Sequence, residues 1–412
     1  MTDLAPAVSE PAAPGTTDFA WTRAQFLLPA GVTYLDGNSL GPLPRAAAAR
    51  IGRTVTEEWG EMVVTGWNRA GWMAQPMGLG DRIGQLIGAE AGHVAVGETL
   101  SVRVFQALAA ALSLRPGRKV VLSDTGNFPT DLYMADGLLR SLGQGHRLVT
   151  VAPDEIAGVL NEDVAVLMLT EVDYRTGARH DMGALARAAH AVGAVTLWDL
   201  AHSAGAVPVN LAGTEADFAV GCTYKYLNAG PGAPAYIYAA PRHAEACETI
   251  LQGWLGHAAP FDFTLGYAPA PGAARLRVGT PPVLQMAALD AALDIWDRVD
   301  MADVRARSVA LSERFIAGVE AACPALRLAS PRDPTRRGSQ VSFRFGEGYA
   351  AMQAVIARGV IGDFRAPDIM RFGITPLYLD MADIDRAIEV VSDVIATAAW
   401  DRDAYRERAS VT

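Results

Sequence analysis

The chain has 412 residues, half of them hydrophobic and 19% charged, which supplies core for one large domain and a smaller one and excludes wholesale disorder. Acidic residues (45) outnumber basic ones (35), for a formal net charge of −10, and this argues against nucleic acid or an anionic membrane as the partner, since both reward basic patches. Cys222, Cys247 and Cys323 form no Cys-x-x-Cys pair, so neither a disulfide framework nor a metal site is expected.

Residues 1–18 are Ala, Pro, Thr and acid with little to bury, and read as a disordered tail. The first twenty residues hold no Lys or Arg and no apolar run, so they do not read as a signal peptide. With no run of about 18 apolar residues for a membrane helix, a soluble cytoplasmic protein is expected. The segment Tyr34-Leu-Asp-Gly-Asn-Ser-Leu-Gly-Pro packs turn formers into a loop. A helix follows from about Arg45, and then Trp59, Trp67 and Trp72, spaced as core or interface residues.

From about 94 to 300, apolar runs alternate with Ala-rich helical stretches. Val120–Asp124, Arg147–Val151, Val164–Thr170, Ala194–Asp199, Asp217–Cys222 and Ala235–Ala239 read as strands. Their hydrophobicity is continuous rather than alternating, so both faces are covered, as in a mainly parallel sheet. Beyond about 300 the rhythm changes. A helix over Met301–Ala322, a strand from Gln340, a helix near 349–358, the run Met370-Arg-Phe and a helix over Met381–Trp400 make a small α+β domain. The division is thus 19–300 for the N-terminal segment and large domain, and 301–412 for the small one.

In an open α/β sheet, ligands bind beyond the carboxyl ends of the strands, and four polar groups fall there. Asp199 and His202 follow one strand. Lys225, flanked by Tyr224 and Tyr226, follows the next, and is not placed like a surface lysine. An amine able to form a Schiff base, together with a carboxylate able to keep a pyridine nitrogen protonated, suits pyridoxal phosphate. Gly97-Glu-Thr-Leu-Ser101 precedes the helical run Arg103–Leu112, where backbone N–H groups and a hydroxyl suit a phosphate; an ordinary helix cap reads the same way. Asn127-Phe-Pro-Thr-Asp131 offers a ring to stack on a flat cofactor, or a plain turn.

Several of these stretches carry a resemblance. Asn127-Phe-Pro-Thr-Asp-Leu-Tyr133, Trp198-Asp-Leu-Ala-His-Ser-Ala-Gly205, Thr223-Tyr-Lys-Tyr-Leu-Asn228, Gly253-Trp-Leu-Gly-His257 and Ile369-Met-Arg-Phe-Gly-Ile-Thr-Pro-Leu-Tyr378 look like kynureninase, in colinear order from about 30 to 400. The resemblance implies a fold-type-I pyridoxal-phosphate-dependent transferase fold, with a mainly parallel seven-stranded sheet and a small α+β C-terminal domain. It also implies a homodimer that hydrolyses L-kynurenine to anthranilate and L-alanine in tryptophan catabolism. Lys225 would then attach the cofactor, Asp199 would pair with the pyridine nitrogen, and Tyr224 would shuttle protons. Leu100, Ser101, Tyr224 and Trp254 would meet the phosphate and Phe128 would stack on the ring. Pro129, Thr130, Asp131, Thr170 and His202 would line the pocket, with Thr280 arriving from the second subunit. Arg371 would clamp the substrate carboxylate with its fixed fork.

The sequence departs from the family pattern at Arg103 and Glu171. The stretch Gly66–Trp72 looks like bacterial members, which favour kynurenine over its 3-hydroxy derivative. Two rivals remain. A cysteine desulfurase or selenocysteine lyase would place His before the lysine, where this chain has Tyr224, and would carry a loop cysteine between Cys247 and Cys323, where none stands. A catalytically silent binding protein of the same fold would have no need of Asp199, Lys225 and Arg371 together.

Overall fold

The computed structural model describes residue 15 and residues 17–408. The expected tail lies outside these, apart from its last residues. Gly15 N–H and Thr17 N–H donate to the Asp303 carboxylate (2.9 and 3.0 Å), and Asp18 caps the helix Phe19–Ala24. The order therefore begins earlier than the composition implies.

Seven strands form the large sheet. In chain order they are β1 (Val94–Val96), β2 (Val120–Asp124), β3 (Arg147–Val151), β4 (Val164–Thr170), β5 (Val195–Asp199), β6 (Phe218–Gly221) and β7 (Tyr236–Ala239). Their spatial order is β1-β7-β6-β5-β4-β2-β3. The five from β6 to β3 run parallel, while β7 is antiparallel to both β6 and β1. Six were legible as apolar runs; β1 has only three residues and lies at an edge.

Successive strand residues enter different cores, which is why the runs are continuous. Val121, Val166, Leu197 and Val220 pack with the helices Leu100–Ser113 and Pro129–Leu142. Leu122, Leu167 and Trp198 pack on the other face, against the helices Gln75–Ile87, Met182–Ala191 and Val283–Trp296. Burying both faces is the condition under which a parallel sheet is stable.

The C-terminal unit is a four-stranded sheet of β8 (Arg327–Leu328), β9 (Gln340–Arg344), β10 (Asp363–Arg365) and β11 (Ile369–Gly373), in the order β8-β9-β11-β10. It is antiparallel throughout and packed by the helices Met301–Ala322, Gly348–Ile356 and Met381–Ala396. Residues 22–34 are stitched to this unit. Thr33–Tyr34 pairs in parallel with Val360–Ile361, Thr22 Oγ donates to Leu377 O (2.8 Å), and Arg23 pairs with Asp383. Among the described residues, no helix is long and apolar enough to cross a membrane.

Candidate active site

The carboxyl ends of β4, β5 and β6 converge on one polar cluster. Asp199 closes β5 and is buried; its carboxylate accepts from Ala201 N–H (2.8 Å). Asp131, in the first turn of Pro129–Leu142, is buried opposite it and hydrogen-bonds to it. Burial, then the Asp199 charge, pushes the Asp131 carboxyl far above the usual range. Burial also raises Asp199, against the pull of the Lys225 charge. Two carboxyls in one dry site cannot both ionise cheaply, so the pair shares a proton held mainly on Asp131.

Lys225 Nζ lies 3.0 Å from His202 Nε2, 5.9 Å from the Phe128 ring centroid and 5.9 Å from that of Tyr224. It makes no ion pair among the described residues. His202 is fully buried, and burial followed by the charges of Lys225, Arg371 and Arg365 holds its imidazole well below the usual value. A neutral ring therefore faces the amine.

The backbone at Lys225 is supported by the Tyr34 loop. Gly41 N–H donates to Tyr224 O (2.7 Å), and a Cβ on Gly41 would lie 2.5 Å from Lys225 O. Asn228 takes a left-handed φ of 60° and its N–H returns to Lys225 O (3.0 Å), turning the chain away after the lysine.

Asn127 belongs to the Phe-Pro-Thr-Asp motif, yet sequence reasoning gave it no part of its own. It is buried; its Oδ1 accepts from Phe128 N–H (2.7 Å) and from Thr170 Oγ (2.6 Å), and its Nδ2 donates to Ser123 Oγ (2.9 Å). It thus locks the turn that presents Phe128. The Phe128 ring is 38% exposed and meets Tyr174 edge-on at 5.1 Å. Pro129 and Thr130 start the helix behind it.

The phosphate-type helix start needs a correction. The helix begins at Leu100, not Arg103, with Thr99 as its cap, so the Leu100 and Ser101 N–H groups lie in the first turn, where they lack intrahelical acceptors. Arg103, one of the two departures, is buried and ties this turn down. It donates to Gly97 O (3.0 Å), Gln106 Oε1 (2.6 Å) and Leu276 O (2.7 Å), and burial lowers its guanidinium to about 10. Glu171, the other, is buried and accepts from Arg179 Nε (2.8 Å).

Arg371, on β11, is buried but not a free fork. Its Nε donates to Asp363 Oδ1 (2.6 Å), Nη2 to Asp363 Oδ2 and to Ser39 Oγ (3.0 Å), and Nη1 to Tyr174 O. Four hydrogen bonds thus engage a group with five N–H donors. Asp363 also takes Ser39 Oγ (2.7 Å) and Arg365 (2.8 Å). Nearby Asp36 is pushed up to about 7 by burial and by the Asp363 charge. Asp363, Ser39 and Tyr174 had no assigned role in the sequence reading; the density of turn formers around Ser39 was the one signal available.

Of three further expected residues, Tyr224 adjoins Lys225 while Trp254 and Thr280 stand apart within the single chain. The Tyr224 phenol is raised by the neighbouring Cys222 thiol and by burial. Trp254 is 39% exposed, stacks edge-on against Phe261 (5.7 Å), and lines a cavity of about 330 Å³ with His257, Phe263 and Tyr267. Thr280 is exposed. Neither Trp254 nor Thr280 is hydrogen-bonded or ring-stacked to Lys225, Asp199 or His202 among the described residues.

The chain is similar to known proteins in sequence and in fold. A family model described as the kynureninase C-terminal domain matches residues 304–391. The kynureninase of Burkholderia pseudomallei (strain 1106a) is 49% identical over 397 residues, covering 95% of both chains. That of Deinococcus radiodurans is 51% identical over 384 residues, covering 91% of this chain and 93% of the relative. The chain belongs to the kynureninase family. In fold it is similar to the Escherichia coli cysteine desulfurase CsdA (TM-score 0.77, 18% identity, 93% of this chain and 100% of that one). It is also similar to a C-DES mutant with glycine covalently linked to its PLP cofactor (TM-score 0.75, 18% identity, 90% and 99%). At such identity the likeness carries the fold alone, so the desulfurase alternative is a likeness of architecture.

Proposed function

We propose that this chain is a pyridoxal-phosphate-dependent kynureninase, hydrolysing L-kynurenine to anthranilate and L-alanine, with the reaction centred on Lys225. The observation that carries this is an amine free of ion pairs, 3.0 Å from a neutral imidazole, beside a buried carboxyl pair and under a part-exposed ring. The residues fit the cofactor. Lys225 makes no ion pair among the described residues, its Nζ meets the neutral His202 ring at 3.0 Å, and the first-turn N–H groups at Leu100 and Ser101 suit a phosphate.

When bound, the cofactor supplies an electron sink for cleavage next to an amino acid's α-carbon. Lys225 would attach it, and on release serve as the base for the α-proton. Asp199, kept ionised by the proton on Asp131, would hold the pyridine nitrogen protonated. Phe128 would cover the ring, while Arg371, with Ser39 beside it, would receive the substrate carboxylate. The Tyr224 phenol, protonated at neutral pH, would act as proton donor as water adds at the ketone and the carbon–carbon bond breaks.

The pocket is completed in a homodimer on this reading, with Thr280 contributed across the interface. Supporting it are large apolar side chains left in solvent, such as Val64 (72% exposed) and Phe263 (78%), which a partner subunit would cover. Light scattering should give twice the chain mass, and a fully active monomer would refute it. The resemblance of Gly66–Trp72 to bacterial members favours L-kynurenine over its 3-hydroxy derivative, and a boundary near residue 300 separates the two domains.

The chain has just two lysines, Lys119 and Lys225, and Lys119 is a surface residue bonded to Gln144. Borohydride reduction of the purified enzyme followed by peptide mass spectrometry should place the cofactor label on Lys225. A label on Lys119, or none, would overturn the assignment.

A further inference from the structure

The contact between Lys225 and His202 fixes more than one proton. A charged lysine has donors and no acceptor, so His202 Nε2 accepts at 3.0 Å. The imidazole is neutral, so its hydrogen sits on Nδ1. That nitrogen is buried, and the side chain that hydrogen-bonds to the ring is Gln340. Gln340 Oε1 is buried too. Gln340 opens β9, is fully buried, and its amide sits beside the His202 ring. Its Nε2 end is committed, donating to Tyr174 O (3.0 Å) and Ser342 Oγ (3.3 Å). The Oε1 end is therefore the acceptor that faces the ring.

We propose that Gln340 is a positioning residue for Lys225: its Oε1 takes the His202 Nδ1 hydrogen, fixes the imidazole tautomer, and so presents the Nε2 lone pair to the lysine nitrogen. The same amide reaches the substrate side. Tyr174 O accepts from Arg371 as well as from Gln340, and β9 and β11 are paired, with Ser342 opposite Arg371. A polar chain thus runs from Arg371 through the Tyr174 carbonyl, Gln340 and His202 to Lys225, linking the C-terminal unit to the large sheet's lysine.

His202 also faces Tyr226, Arg365 and Arg371. Lys225 faces Asp131, Asp199, Cys222 and Tyr224. Substituting Gln340 leaves all of these in place, so a changed titration reports on the tautomer.

The inference rests on Lys225 carrying the cofactor. In the holoenzyme, titrating the visible band of the Lys225-bound cofactor with pH reads protonation at that nitrogen. Gln340→Leu releases the tautomer, lets an N–H turn toward the lysine, and should lower the midpoint by about one pH unit, the size of one charge-assisted hydrogen bond. Gln340→Glu keeps the acceptor and should hold or raise the midpoint. In a His202→Phe background Gln340→Leu should add nothing, which general disruption would not reproduce. A folded Gln340→Leu with an unmoved midpoint, or with the same shift in the His202→Phe background, overturns the proposal. Should Gln340→Leu fail to fold, a lowered midpoint in Gln340→Glu overturns it. Wild-type enzyme with no label on Lys225 sinks the functional reading instead, and is told apart by that label.

Discussion

Asp363 accepts from both Nε and Nη2 of Arg371, and the Ser39 hydroxyl bridges the two side chains. The ion pair fixes the plane of the guanidinium before any substrate arrives. A lysine at 371 would keep the charge but not the two-pronged pairing. Arg371→Lys should therefore lower kcat/KM about ten- to a hundredfold, with the cofactor absorbance unchanged. Steady-state kinetics at wild-type values would make Arg371 a structural arginine only.

The Asp131–Asp199 pair leads to an opposite effect on stability. Both folded-state values lie above that of an unfolded carboxyl, about 3.9, so the folded state binds more protons and stability falls as pH rises through the window above that value. Asp131→Asn removes the carboxyl that must take up a proton to stay buried there. In cofactor-free enzyme it should raise the denaturant midpoint at neutral pH and have little effect near pH 3. The same variant should retain cofactor less well, and dialysis followed by absorbance would show it. A cofactor-free Asp131→Asn protein that is destabilised at neutral pH contradicts the shared-proton account.

Gly41 meets the Lys225 segment with no room for a side chain. A methyl there would sit 2.5 Å from Lys225 O and from Asn228 Oδ1, and 2.6 Å from Asn228 Cα. Because two of these atoms are backbone, the lysine turn must move. Gly41→Ala should cost roughly 1–3 kcal/mol and slow cofactor attachment to Lys225. Unaltered stability together with unaltered labelling would mean that the loop adjusts freely.

At the opposite end of the sheet, Asp217 gathers His190 (2.8 Å), His243 (2.6 Å), Arg242 (2.7 Å) and the Thr196 N–H (2.8 Å). Burial pushes this carboxyl up, but the hydrogen bonds from His190, His243 and Thr196 outweigh it and hold it below the usual range. Its contribution is present above the unfolded value of about 3.9 and is lost as pH falls below that. Asp217→Asn should cost about 3 kcal/mol at pH 7, and the gap to wild type should close in acid. A gap that persists at pH 3 would assign the loss to packing.

How far the sequence revealed this site depends on the range of each contact. Asp199 and Lys225 were legible because a polar residue directly after a buried apolar run must lie at the sheet's open end. The Phe128 turn followed for the same reason, whereas Thr170 came from the resemblance. Asp363, Ser39 and Gln340 were not, since each acts through a partner far along the chain, and nothing local distinguishes Asp363 from a solvated acid. Strand β1 escaped notice because three residues carry no period, and the start at Leu100 was misread because Thr99 caps a turn before the apolar pattern begins. The resemblance supplied Arg371, whose burial against Asp363 lies beyond any motif.

The pairing of Thr33–Tyr34 with Val360–Ile361 also has a consequence in time. On the ribosome Thr33–Tyr34 emerge more than three hundred residues before Val360–Ile361, and closing so long a loop is entropically slow. The large sheet, whose parallel strands all lie between, can assemble while the Thr33–Tyr34 segment waits unpaired. A chain released short of residue 360 would lack that pairing, and with it one anchor of the loop whose Gly41 braces the Lys225 turn.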